Sequence, residues 1–395
     1  MLLNNLTLIN ESNPVTISIT DEKITAIERQ KETLPAENFA LDFTDAFAFP
    51  GLINSHDHLD FNCFSPLGRS SYNNYTEWGN HIHAAHKTEI DAVLKIPQRL
   101  RADWGMYKNL LAGVTSVVNH GAPLKIEHPL INIYQETQNL HSVQFEKNWR
   151  WQLNNPLLKN KACVIHAGEG TDTLAVNEID ELLRWNLLNK KITAVHAVAM
   201  NSSQAKKING IVWCPESNKL LLNKHAAINL LKEHTAIVFG TDSTLTGHWN
   251  IWHHLRLARA TKMLTDEELF HAITKKAAAL WGMNNGELKP GTDADIVIAK
   301  KNNACSSWDS FYCLDPSAIL MVIHKGKIRL FDQIIASQVR IQLPNLPQFS
   351  KIVIQDTIKF VQGDLPALIN DIRNYNSSIH LPVAVCELHK NTINA

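Results

Sequence analysis

The sequence carries no surplus of either charge: Lys+Arg and Asp+Glu each number 38 among 395 residues. Nucleic-acid binders usually show a basic excess, so this balance argues against that class and gives no electrostatic pull towards a membrane. There is no apolar run of the roughly 18 residues that a spanning helix needs. The N-terminal MLLNNLTLINES lacks both a basic start and a long apolar stretch, so it does not read as a signal peptide. The six cysteines (Cys63, Cys163, Cys214, Cys305, Cys313, Cys386) include no C-x-x-C pair. They read as reduced thiols, each a small buried hydrophobe, in a cytoplasmic protein. Strong internal repeats and low-complexity segments are absent. Glycine is sparse at 16 and is outnumbered by 19 histidines, a surplus that points to metal or proton chemistry.

The periodicity changes twice along the chain. Residues 1–48 read as short strands (LTLI, TISI, KITAIE) separated by turn residues. From residue 49 strands alternate with helices. FPGLINSHDH, VTSVVNH, ACVIHAGEG, ITAVHA, GIVWCP and TAIVFGTDS are strand-like, with helical spacing at 97–112, 174–188, 225–234 and 265–282. The helix at 265–282 opens on a Thr-x-x-Glu capping box. Repeated strand–helix alternation implies parallel strands with crossover helices. After Gly286 short strands return (ADIVIAK, AILMVIHKGKIRL). The expected fold is α/β: a (β/α)8 TIM-like barrel over 49–284, with a small β-sandwich built from both termini, residues 1–48 and 285–340. Residues 341–395 form an extension whose role is not legible. The interval from His58 to His166 is short for three intervening β/α units, and 121–160 has little strand signal, so distortion is expected at strands three and four.

Four strand ends carry the chemistry. His56 and His58 close the first apolar strand, where i and i+2 side chains point the same way and the two imidazoles converge. A lone H-x-H is weak, and a second one, His81-Ile82-His83, lies nearby. His166-Ala167-Gly168-Glu169 follows another strand, His196 closes ITAVH, and Asp242 closes IVFGTD. Ligand-type residues at the C-terminal ends of several barrel strands lie on the face where barrel active sites form.

In this order, PGLINSHDHLD, IHAGE, VHA, WCPESN, FGTDS and ELKPGTDADIVI resemble the amidohydrolase superfamily. The likeness is to its branch of guanine and cytosine deaminases, chlorohydrolases and imidazolonepropionase, over roughly residues 1–330. The resemblance implies that His56, His58, His166 and Asp242 hold one divalent metal ion, with Glu169, His196 and Asp242 catalytic. Zinc is the first choice, and iron or manganese also suits nitrogen and oxygen ligands. No lysine aligns with a carbamate-bridged pair of metals. Ser217 and Asn218 would face the pocket after the seventh strand. His120 would line it or stand behind it, and Arg69 would meet a substrate carboxylate or be a solvated loop residue. The implied reaction is hydrolysis of a non-peptide C–N bond. Deamination of a heterocycle or amidine is favoured because His-x-x-Glu can supply a proton to a ring nitrogen. Hydrolysis of a cyclic amide, imide or C–Cl bond, and a non-catalytic metal-binding barrel, stay open. The expected partners are a small-molecule substrate and a second copy of the chain in a homodimer, with neither nucleic acid nor membrane.

Overall fold

Side chains alternate between two cores in the strands at the ends of the chain, and this alternation joins the termini. In Ala46–Pro50, Phe47 and Phe49 face the large central core, while Ala46 and Ala48 face a second cluster with Leu3, Leu6 and Ile17. Ile296–Lys300 repeats the pattern antiparallel to it, Val297 facing one core and Ile296 and Ile298 the other. The computed structural model describes residues 1–29, 39–69, 71–342 and 347–385, and Cys386 lies outside them. Within these residues one eleven-stranded sheet runs from Lys23–Arg29 through Leu2–Leu8 and Ala46–Pro50 to Ile296–Lys300, Ile319–His324 and Lys327–Asp332. It continues into Thr357–Gln362 and Phe349–Ile354, so the C-terminal segment adds strands to the same sheet, and its helix Leu365–Tyr375 packs on helix Gln98–Leu111.

The middle of the chain forms two parallel sheets, of three and of five strands. Leu52–Asp57, Val114–Asn119 and Asn132–Tyr134 are parallel neighbours, as are Gln138–Ser142, Cys163–Ala167, Ile192–His196, Gly210–Trp213 and Ala236–Phe239. Ile53, Val118, Val164, Val195, Val212 and Val238, from six of these strands, pack together around Trp281 and fill the interior. Thr241 and Asp242 donate backbone N–H groups to the His56 carbonyl (3.1 and 3.0 Å), tying the end of the last strand to the first.

The two sheets together hold the expected eight strands, three and five, but among the described residues they do not close into one barrel. Only residues 135–137 separate Asn132–Tyr134 from Gln138–Ser142, whereas neighbouring parallel strands need a crossover of about a dozen residues or more. Asn132–Tyr134 pairs with Val114–Asn119, Gln138–Ser142 pairs with Cys163–Ala167, and the two short strands do not pair with each other. The expected distortion at strands three and four falls here, where no crossover helix separates them and the sheet is interrupted.

Two local differences have clear causes. The helix expected over 265–282 is two helices, Asp266–Ala272 and Lys275–Trp281, because the Ile273 carbonyl accepts a hydrogen bond from Ile53 N–H (2.8 Å) of the first barrel strand. The Thr265/Glu268 capping box is present. Cys63, Cys163 and Cys214 are buried as expected, but Cys305 and Cys313 are exposed. No helix among the described residues is long and apolar enough to cross a membrane.

Candidate active site

The His56, His58 and His166 rings meet at the barrel mouth, each offering a nitrogen, and these atoms all lie within 4.8 Å of one another. His166 Nδ1–H donates to the His141 carbonyl (2.8 Å), which leaves the Nε2 lone pair free, 3.2 Å from His56 Nε2. Burial, aided by the neighbouring imidazoles, holds His166 well below the usual histidine range. Burial, then His56, brings His58 down to about 4. Neutral imidazoles are the form in which histidine binds a metal.

Asp242 completes the group. Its Oδ1 lies 3.6 Å from both His56 Nε2 and His58 Nε2, while Oδ2 accepts from Ser217 Oγ (3.0 Å) and Thr246 Oγ1 (2.7 Å). One oxygen is thus held by the protein and the other is left for the cluster. Burial opposes ionisation here, but His56, His58 and His196 outweigh it and keep the carboxyl well below its ordinary range. The approach depends on Gly240, since a Cβ there would lie 2.7 Å from His56 Cβ. The three imidazoles are spaced to hold a metal ion, and the Asp242 carboxylate lies beside two of them.

His196 reaches the cavity by a backbone exception. Val195 belongs to the interior cluster, so strict alternation would turn His196 outward, but φ of +71° at His196 re-aims it. Its Nδ1–H donates to Asn218 Oδ1 (2.8 Å), and its Nε2 lies 3.5 Å from Glu169 Oε1. Burial, opposed by Asp242, lowers His196 to about 4.

Glu169 is buried beside the cluster. Burial, then the charges of Asp242 and Glu178, raises its carboxyl well above the ordinary range. Its loop is clamped from behind. Glu178 Oε1 accepts from Gly168 N–H (2.6 Å), Tyr75 Oη donates to Glu178 Oε2 (3.3 Å), and Tyr75 N–H donates to the Glu169 carbonyl (3.0 Å). Gly168 has φ of +68°, and a Cβ there would sit 2.6 Å from Ile179 Cδ1, so only glycine lets the loop turn this tightly.

The remaining expected residues divide. Ser217 and Asn218 are fully buried and hold Asp242 and His196 rather than lining the cavity. His120 does line it: its ring centroid is 4.5 Å from that of His166 and 5.0 Å from that of His56, and neither ring nitrogen has a hydrogen-bond partner. Arg69 is not brought to the site. Its side chain is 66% exposed and turns to Glu77 (3.6 Å). Sequence reasoning missed Thr246, which no motif marks, and His141, whose contribution is a backbone carbonyl. It also missed Glu178, although Ala175, Ile179 and Leu182 place that glutamate on the buried face of its helix.

The cavity above the cluster has a volume of about 1130 Å³ and is roofed by helices Tyr75–Ala85 and Lys87–Leu94.

Residues 156–329 match the model of the Amidohydrolase family. A 5-methylthioadenosine/S-adenosylhomocysteine deaminase of Caldicellulosiruptor saccharolyticus is 23% identical over 383 residues, covering 80% of this chain and 88% of the relative. Among solved structures, an adenosine deaminase from Xanthomonas campestris with bound zinc superposes with a TM-score of 0.69 at 16% identity, covering 96% of this chain and 98% of that one. The atrazine chlorohydrolase from Arthrobacter aurescens complexed with zinc gives 0.62 at 16% identity, covering 83% of this chain and 94% of that one.

Proposed function

On the premise that residues 156–329 are an amidohydrolase-family domain, we propose that this chain is a metal-dependent deaminase of an aminated nitrogen heterocycle. The observation that carries this reading is the placing of Glu169: a buried carboxyl 3.5 Å from His196 and next to three converging imidazoles, in surroundings that disfavour its charged form.

Deamination bonds a water oxygen to a ring carbon, breaks the C–N bond and releases ammonia. His56, His58, His166 and Asp242 would hold the metal, with zinc the first choice. When bound, such an ion lowers the pKa of a coordinated water towards ~7 and makes hydroxide available at neutral pH. Glu169 gives its proton to the ring nitrogen as the carbon is attacked, relieving charge that would otherwise build up on the ring. His196, with Nδ1 fixed on Asn218, turns Nε2 towards the reacting centre and orients the oxygen there. Asp242 Oδ1, free of protein donors, is placed to accept a proton.

The test combines metal content with ammonia release on a panel of aminopurines, aminopyrimidines and their nucleosides. Wild type should carry about one divalent ion per chain and release ammonia only when loaded. His56→Ala and Asp242→Ala should lose most of the metal. Wild-type-like metal content in both variants would refute the ligand assignment, and hydrolysis of other panels without ammonia release would refute deamination.

His120 supplies a further expectation. Its unpartnered ring gives it a hydrogen bond to the substrate, so His120→Phe should keep the metal and raise KM about 2–10-fold, the value of one neutral hydrogen bond. Loss of metal in step with activity would instead make it a ligand.

A further inference from the structure

Resting on the deaminase reading for the position of the reacting ring, we propose that the cavity selects a substrate without negative charge, bearing an apolar substituent that lies against the helical roof. Phosphorylated and carboxylated heterocycles would be rejected.

The first observation is charge. Among the described residues no lysine or arginine lines the cavity, whereas Asp60, Glu146 and Asp242 do. The nearby cations are already engaged outside it. Arg101 bonds the Asp60 and Ile96 carbonyls, Lys108 bonds Asp57, Lys190 bonds Gln138, and Arg69 turns outward to Glu77. A bound divalent ion would sit at the floor among His56, His58 and His166, where the reacting carbon must be. An anionic substituent further up would face carboxylates and no partner, and burying an uncompensated charge is costly.

The second observation is the wall. Phe61, Phe64, Trp78, Ile82, Phe145 and Leu245 form a continuous apolar lining, and Phe145, 45% exposed, is left open to the mouth. The polar residues opposite are occupied. Gln138 donates to the Gln152 carbonyl and accepts from Lys190, while Asn139 donates to the Asn119 and Gly121 carbonyls and accepts from Thr137. They offer little to an anion.

The third observation is size. At about 1130 Å³ the cavity is at the upper end for drug-sized ligands and exceeds a single ring, so a ring plus substituent is the matching shape.

The experiment separates this inference from the deaminase reading. A metabolite extract is split by anion exchange into anionic and non-anionic fractions. Each is equilibrated with metal-loaded Glu169→Gln protein, and bound small molecules are identified by mass spectrometry. The same fractions are then incubated with wild type and searched for exchange of NH₂ for OH. Capture confined to the non-anionic fraction is expected, and adenosine should bind at least about 100-fold more tightly than adenosine 5′-monophosphate. Capture from the anionic fraction, from neither fraction, or equal binding of the two probes overturns the inference. Non-anionic capture with no NH₂-to-OH exchange by wild type sinks the deaminase reading but leaves the charge selection standing.

Discussion

Glu169→Gln is expected to fold, to keep its metal, to bind substrate within a few-fold of wild type, and to lose about 10²–10⁴-fold in kcat. That loss equals about 3–5 kcal/mol of barrier. Glutamine has nearly the shape of a protonated glutamic acid and can still donate a hydrogen bond. The clamp on the loop consists of Gly168 N–H on Glu178 and Tyr75 N–H on the Glu169 carbonyl, and neither contact uses the Glu169 side chain. The glutamine side chain should therefore occupy the same place. What it cannot do is give up a proton at Oε and take one back. Metal content and kcat must be measured on the same preparation. If metal falls with activity, Glu169 supports a ligand. If kcat barely changes, the proton carrier is elsewhere and the deaminase reading loses its main support.

The role proposed for Glu169 comes from the resemblance carried by IHAGE; what position alone made legible was its place beside the cluster, three residues after His166, past Ala167 and Gly168, at the end of an apolar strand. His56, His58, His166 and Asp242 were legible for the same reason, being side chains that must converge when strands lie side by side. What escaped belongs to contacts that no local pattern encodes. The His141 carbonyl that sets the His166 tautomer is backbone, and it arrives on the short strand Gln138–Ser142, which pairs with Cys163–Ala167. The weak strand signal over 121–160 and the short interval before His166 were traces of the missing crossover between Asn132–Tyr134 and Gln138–Ser142. They were readable as an irregularity, but only the pairing of each strand shows where the sheet is interrupted. Arg69 shows the opposite failure. Its nearness in sequence to the first motif suggested reach, but its own N–H donates to Tyr72 Oη (2.8 Å) and its guanidinium lies over the Tyr72 ring. That leaves the side chain outside the cavity.

Lys108→Met is expected to destabilise the fold by about 3–5 kcal/mol and to weaken metal retention, although Lys108 touches no ligand. Asp57 lies between His56 and His58 in sequence, and its carboxylate meets helix Gln98–Leu111. Its Oδ2 accepts from Lys108 Nζ (3.0 Å), Asn109 Nδ2 (2.8 Å) and Asn54 Nδ2 (3.2 Å), and its Oδ1 accepts from Asn62 Nδ2 (2.8 Å). Asp57 is 0% exposed and Lys108 2%, so neither charge has water to fall back on. Lys108 also bonds Asn62 Oδ1 (2.9 Å), which accepts from Thr244 N–H (3.2 Å) in the loop after Asp242. The ammonium thus links the segment carrying His56 and His58 to the loop carrying Asp242. Methionine fills much of the same volume, so the loss is chiefly electrostatic: a carboxylate left buried among amides with no counter-charge. Denaturant midpoints of wild type, Lys108→Met, Asp57→Asn and the double variant give the coupling directly. The double variant should recover much of the stability, because asparagine carries no charge to strand. If Lys108→Met alone is as stable as wild type, the pair contributes nothing net. If the double variant is as unstable as the sum of the singles, the two residues act separately and the network does not brace the metal ligands.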